Sequence, residues 1–308
     1  MNFKINKQHK HTRKMINEEL KEKIIAEAKQ ARERFSGSDS KFAVSLGIAA
    51  AQYSRIKNGD TERVLSQSNW ISLARRLNVS LQNAPCWKTV ATPVYEFITT
   101  QLAWCQKVGM SCLLCDESDI GKTYAAQAYT KGNKNVVYVD CSQVKSKQKM
   151  IRYIAKEFGV GHGGKYADVY SDLVFYVKTL EKPLVILDEA GDLQYDAFLE
   201  IKALWNATEG ACGYYMMGAD GLKEKIHRAI NNKKVGFAEI FSRFGKKYVK
   251  VLPLGNSESQ KLLQLSAAAI IKANAKPNAD VNKILRQTLG EDDIPSLRRI
   301  YKAIAIEG

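Results

Sequence analysis

Residues 111–130 read SCLLCDESDIGKTYAAQAYT, and their order decides the fold. An apolar strand pattern runs into a polar loop, then Gly121-Lys122-Thr123, then a helix pattern. A strand feeding a glycine-lysine-threonine turn that opens a helix is the order of a P-loop. Unpaired amide N–H groups and the helix dipole both favour negative charge at such a helix start. The candidate phosphate-binding residues are therefore Asp119, Ile120, Gly121, Lys122, Thr123 and Tyr124. Lys122 would reach the β- and γ-phosphates of ATP, and the Thr123 hydroxyl would ligate Mg2+.

The loop departs from G-x-x-x-x-G-K-T. Asp116 stands where the first glycine belongs, and Asp119 lies two residues before Gly121. A unit charge at ~6 Å and an effective dielectric of ~20 repels another by about 3 kcal/mol. Two carboxylates beside a polyphosphate weaken its binding unless they turn outward or are neutralised.

A second stretch supports the first. EKPLVILDEAGDL, residues 181–193, is an apolar strand ending in Asp188-Glu189. Such an ending delivers one carboxylate to Mg2+, here Asp188, and a second, Glu189, to orient and deprotonate an attacking water. Between Lys122 and Asp188 there is room for one strand, NVVYVD, and two helices. A further strand, GYYMMGAD, spans residues 213–220. Its end is expected between the P-loop strand and the Asp188 strand, where Asp220 is the nearest polar candidate for a sensor residue.

Working outward, short strands alternate with helices from about residue 93 to 254, which implies a parallel α/β sheet. Pro85 and Pro93 bracket a connector before it, and three helical patterns follow it. The expected domains are 1–84, 85–254 and 255–308. Residues before 85 read as entirely helical. In KFAVSLGIAAAQYSRIKNGD a helix over 40–46 meets Gly47, where a positive φ is cheap only for glycine. A second helix over 49–57 stops at Asn58-Gly59. Trp70, Leu73, Ala74 and Leu77 then share one helical face. This pattern resembles the helix-turn-helix of small repressor-like domains, whose second helix enters the major groove. Gln52, Tyr53, Arg55 and Lys57 would then face DNA.

The 308 residues carry 47 Lys and Arg against 32 Asp and Glu, a net charge of +15. The excess is clustered, at +5 over residues 1–35, +5 over 145–165 and +7 over 221–250, and the remainder is slightly acidic. Clustered positive charge suggests a polyanion partner. Lys145, Lys147 and Lys149, with Lys233 and Lys234, fall after a strand and in a loop, where they could line a DNA-facing surface. The longest run without a charged residue is 13 residues, too short for a membrane-spanning helix. The basic N-terminus has no apolar signal region, so a cytoplasmic, DNA-associated protein with no membrane partner is expected. Six cysteines show no zinc spacing. Cys112 and Cys115 lie three apart in a strand and so on opposite faces, as buried thiols rather than a pair.

Two more stretches carry a family likeness. FAEIFSRFGKK, residues 237–247, precedes a last strand pattern, YVKVLPL, and resembles a segment bearing an arginine finger. Arg243 would then reach the γ-phosphate held by a neighbouring subunit; a surface arginine at a helix end is the plainer alternative. IPSLRRIYKAI is similar to a sensor-2 helix start, with Arg298 or Arg299 pointing back to the nucleotide. Together these elements resemble an AAA+ ATPase. With the helix-turn-helix domain ahead, the arrangement resembles the transposition target-capture ATPases of the Mu B and TnsC type. The resemblance implies an α/β P-loop core with a C-terminal helical lid. It also implies slow ATP hydrolysis and helical filaments on double-stranded DNA with little sequence preference. Recruitment of a DDE transposase, which stimulates hydrolysis, is implied as well. Two other readings share the core: a helicase-loader or replication-initiator ATPase, and an ATP-binding DNA regulator that does not hydrolyse.

Overall fold

The computed structural model describes residues 16–77, 79 and 87–307. Four helices come first: α1 (Glu18–Arg34), α2 (Asp39–Leu46), α3 (Ala50–Lys57) and α4 (Gln67–Arg76). Each start but one is capped by a side chain. Asn17, Ser38 and Ser66 accept from the backbone N–H of Leu20, Lys41 and Asn69, which relieves otherwise unpaired donors. Gly47 ends α2 at φ +65°, and a Cβ there would collide with the Arg76 guanidinium. The φ is cheapest for glycine, and a larger residue would also have to push the end of the Arg76 side chain aside. The expected helix-turn-helix geometry follows. Trp70, Leu73 and Ala74 pack with Phe42, Ile56 and Ile24 into one core.

That core corrects one expectation. Tyr53 belongs to it, at 2% exposure, with its ring edge-on to Phe42 at 5.1 Å. Tyr53 and Ile56 lie three apart on α3, so they share its inner face. The outward face carries Ala50, Ala51, Ser54, Arg55 and Lys57.

The remainder is a parallel sheet between helical layers, then a helical lid. The elements are α5 (Pro93–Val108), β1 (Ser111–Cys115), α6 (Lys122–Gly132), β2 (Val136–Asp140), α7 (Lys147–Glu157), α8 (Tyr166–Thr179) and β3 (Leu184–Asp188). After them come α9 (Tyr195–Ala207), β4 (Gly213–Gly218), α10 (Asp220–Asn231), α11 (Phe237–Arg243), α12 (Asn256–Asn274), α13 (Val281–Thr288) and α14 (Leu297–Glu307). The strand order is β1-β4-β3-β2, all parallel. β4 therefore lies between the P-loop strand and the Asp188 strand, as expected. The strand expected over YVKVLPL is reduced to a parallel bridge from Val249 to Leu114. Cys115 N–H donates to Val249 O at 3.0 Å and Val249 N–H to Leu113 O at 2.8 Å.

β3 and β4 are buried along their whole length, as continuous apolar runs in a covered parallel sheet should be. One face of the sheet presents Leu113, Cys115, Val185, Leu187, Tyr214 and Met216 to helices α7 to α11. The other presents Leu114, Ile186, Tyr215 and Met217 to α5 and α6. Alternation puts Cys112 with this second face and Cys115 with the first. The five cysteines among the described residues are free thiols, and burial pushes Cys115 up to about 12. Cys86 lies outside the described residues. The lid packs Ala267, Ile271, Ile284, Ile300 and Ile304 together, with Trp87 against Tyr301 at 5.3 Å. No helix among the described residues is long and apolar enough to cross a membrane.

Candidate functional site

Parallel strands deliver their loops to one edge, outside their C-terminal ends. Gly121 starts α6 at φ +98°, and Leu297 of the lid stands 3.4 Å from where its Cβ would be. Lys122 is 7% exposed, and its ammonium donates to the backbone carbonyls of Asp116, at 2.9 Å, and Glu117. Burial lowers its pKa, opposed by the charges of Asp116, Asp188 and Glu189. The Thr123 hydroxyl donates to Asp188 Oδ2 at 2.7 Å. Tyr138 OH donates to the same oxygen at 2.8 Å, and the Glu189 N–H to Oδ1 at 2.9 Å. Asp188 is thus a buried carboxylate at the end of β3 with both oxygens hydrogen-bonded.

Glu189 follows in the left-handed region, at φ +50°. That turn throws its carboxylate off the strand axis into an exposed position beside Asp188. Partial burial, and then the Asp188 charge, hold it above the usual carboxylate range, while Lys122 pulls it down. A carboxylate so poised is a better proton acceptor near neutral pH.

The two acidic departures in the loop have separate solutions. Asp116 is 1% exposed and faces away from the turn. Its Oδ2 accepts from Val251 N–H at 2.6 Å and Leu252 N–H at 2.9 Å, and its Oδ1 from Glu117 N–H at 2.9 Å. Three charge-assisted bonds offset its desolvation. Asp119, at φ +61°, faces the lid instead. Ser296 Oγ donates to its Oδ2 at 2.6 Å, and Arg298 Nε lies 3.7 Å from its Oδ1. Arg299 instead donates to Leu289 O at 3.0 Å. Ile120 is buried under the turn, and Tyr124 is partly exposed with its OH 2.6 Å from Thr89 Oγ1.

Arg243 is not part of this assembly. Its Nε donates to Asn206 Oδ1 at 2.6 Å, and its guanidinium lies 5.3 Å from the Trp205 ring centre. Trp205 in turn donates to Ser111 Oγ at the start of β1. The Gly121 turn follows the other end of that strand, about 13 Å away at ~3.3 Å per residue. Asp220 opens α10 in an exposed position.

One lysine from each of two basic clusters, Lys145 and Lys234, lies near Lys225. Lys145 pairs with Asp192 at 2.9 Å, and the Lys234 ammonium lies 4.1 Å from the Tyr195 ring centre. Between them Lys225 donates to the carbonyls of Gly191 and Leu193. Lys147 and Lys149 open α7, and Lys233 lies in the turn after α10. In the first domain, Gln52 caps α3 through the Ala49 N–H, and Arg55 pairs with Asp60 at 2.6 Å.

Residues 106–226 match the family model of an AAA domain, and residues 29–82 match a helix-turn-helix model. The chain is 27% identical over 191 residues to the Mu-like prophage FluMu DNA transposition protein B of Haemophilus influenzae. That match covers 62% of each protein. It is 26% identical over 209 residues to the ATP-dependent target DNA activator B of Escherichia phage Mu, covering 66% of this chain and 64% of that one. The chain is similar to these transposition B proteins, and part of it matches the AAA-domain model. The matched region spans under two thirds of those relatives. A solved structure of Cdc6p from Pyrobaculum aerophilum shares the fold, with a TM-score of 0.50 at 16% identity over 72% of this chain and 62% of that one.

Two residues that the motifs alone did not single out lie in the sheet and in the lid. Tyr138 stands on the alternate face of β2 from Val137 and Val139, a period-two signal visible in NVVYVD. Ser296 caps α14 through the Arg299 N–H, and a serine before an apolar helical run is a recognisable start.

Proposed function

We propose that this chain is an ATP-dependent DNA-binding ATPase that assembles on duplex DNA and recruits and activates a DDE transposase at target sites. The observation that carries this is the meeting of Lys122, Thr123, Asp188 and Glu189 at one sheet edge, behind a helix-turn-helix domain. The relatives' printed names, a DNA transposition protein and an ATP-dependent target DNA activator, supply the direction. A separate apolar cluster before residue 78 supports a limit near 84/85, and a lid cluster supports one near 254/255, although Leu263 joins the sheet core and Trp87 the lid.

The amides of 119–124 and the Lys122 ammonium grip the phosphates. Thr123 and Asp188 offer a hydroxyl and a carboxylate 2.7 Å apart, all-oxygen donors of the kind Mg2+ takes. Bound there, Mg2+ would neutralise charge on the β- and γ-phosphate oxygens. Glu189 orients the attacking water and accepts its proton. Arg243 lies too far along β1 to serve its own turn, so it completes the site of an adjacent copy. Arg298 reaches the nucleotide from the lid. Lys145, Lys147, Lys149, Lys233 and Lys234 bind DNA phosphates, which gives affinity without base information. α3 adds Arg55 from its outward face and Gln52 from its first turn. Beside the long Lys57, its other exposed side chains, Ala50, Ala51 and Ser54, are short, which suits weak sequence preference. The protein acts in the cytoplasm, on DNA.

Phosphate release with Mg2+ and duplex DNA tests the reading on wild type, Glu189→Gln and Lys122→Ala. Wild type should hydrolyse ATP, Glu189→Gln should bind without turnover, and Lys122→Ala should form no ATP-dependent filaments by electron microscopy. Equal background rates in wild type and Glu189→Gln would remove the enzymatic claim. A pull-down against a transposase and a replicative helicase separates the two partner classes.

A further inference from the structure

Asp119 sits in the phosphate turn, yet every polar contact its carboxylate makes is with the lid. Ser296 Oγ donates to Oδ2 at 2.6 Å, and Arg298 Nε lies 3.7 Å from Oδ1. These partners are 177 and 179 residues further along the chain. The same two lid residues flank Leu297, whose Cδ1 stands 3.4 Å from a Cβ built on Gly121. The start of α14 therefore rests on the turn at both its polar and its apolar atoms. A non-glycine residue at φ +61° is uncommon and costs backbone energy, and here it aims the carboxylate away from the amides and toward α14. Arg298 is 82% exposed and has no other anionic partner among the described residues.

We propose that Asp119 is a positioning residue that anchors the lid to the phosphate turn and competes with the triphosphate for Arg298. The carboxylate and a phosphate oxygen are both anions within reach of one guanidinium at one turn, so Arg298 cannot be fully paired with both. A nucleotide that draws Arg298 to its phosphates leaves Asp119 with Ser296 alone. The lid then exchanges one anchor for another, and its position reports which anion holds the arginine. Asp119 touches no reacting atom in this scheme; it acts through Arg298. The proposal rests on the nucleotide reading of the site.

A double-mutant cycle on the full chain tests it, with ATP affinity read by calorimetry in Mg2+. A carboxylate that only repels phosphate makes Asp119→Asn tighten ATP equally in wild type and in Arg298→Ala. Competition for the arginine makes the gain larger in wild type, by about two- to fivefold for an exposed pair. A second measurement needs no nucleotide. Asp119→Ala should speed amide exchange across Leu297–Glu307 and leave that across Gln67–Arg76 unchanged. Additive affinities, or unchanged exchange in α14, overturn the proposal while the nucleotide site stands. A wild-type protein that takes up no ATP would overturn both.

Discussion

Thr123 and Asp188 are 65 residues apart in sequence and 2.7 Å apart in the structure, hydroxyl to carboxylate. The bond joins the first turn of α6 to the end of β3, across the width of β4. It brings together the oxygen donors of the proposed metal site. Thr123→Val removes one donor and should lower Mg2+-dependent ATP affinity at least tenfold, about 1.4 kcal/mol. Metal-free nucleotide binding should change far less. Titration calorimetry with and without EDTA separates the two.

Glu189 is held above its ordinary pKa by partial desolvation and by the Asp188 charge. A general base must be deprotonated, so hydrolysis should fall as pH drops through a point above the usual glutamate range. Asp192 also raises Glu189, so Asp192→Asn should move that acid limb downward. A pH profile of kcat reads both, and an unmoved limb would argue for another base.

Asp116 accepts three backbone N–H groups in a buried position. Asp116→Ala orphans the Val251 and Leu252 donors, and about 1–3 kcal/mol of stability should be lost for a buried unsatisfied donor. Asp116→Asn keeps one accepting oxygen and should lose less. Urea unfolding measures the order. The glycine usual at this position of a P-loop could not make these bonds.

Arg243 lies at the far end of β1 from its own turn. Arg243→Ala and Lys122→Ala should therefore each be inactive alone and regain hydrolysis when mixed. Mixed oligomers contain junctions with an intact turn on one copy and an intact arginine on its neighbour. A mixture no more active than its parts would place Arg243 outside the reaction.

Lys145 and Lys234 border one surface near Tyr195 although 89 residues separate them. Each, changed to Ala, should weaken DNA binding equally on unrelated sequences. Each should also reduce the slope of log K against log salt by about 0.9. Fluorescence anisotropy at four salt concentrations is sufficient.

Local signals carried much of this architecture. Gly121-Lys122-Thr123 after an apolar strand, Asp188-Glu189 at the end of another, and Gly47 between two helices are each short patterns with one physical reason. Those patterns located the P-loop, the Asp188 strand and the helix-turn-helix. What escaped was long-range. Asp116 reads as a liability in the loop because its partners, Val251 and Leu252, are 135 and 136 residues away. Asp119 looks the same until Ser296 folds onto it. Tyr53 was misplaced for a different reason. Arg55 and Lys57 suggested a polar face, but Tyr53 and Ile56 have the spacing of an inner one. The last strand shrank to Val249 because neighbouring residues of YVKVLPL bond to Asp116 instead of extending the sheet.

The strand order sets the sequence of events on the ribosome. β1 emerges early, yet its neighbours, β4 and Val249, lie about a hundred residues or more downstream. The apolar SCLLC segment must wait for them, exposed, while β2 and β3 can already pair. The first domain, with its own core and mostly local contacts, can mature during that delay. A growing chain with a finished helix-turn-helix domain and an unclosed sheet is a candidate for chaperone capture, and its aggregation during synthesis should depend on how quickly residues 213–249 are translated.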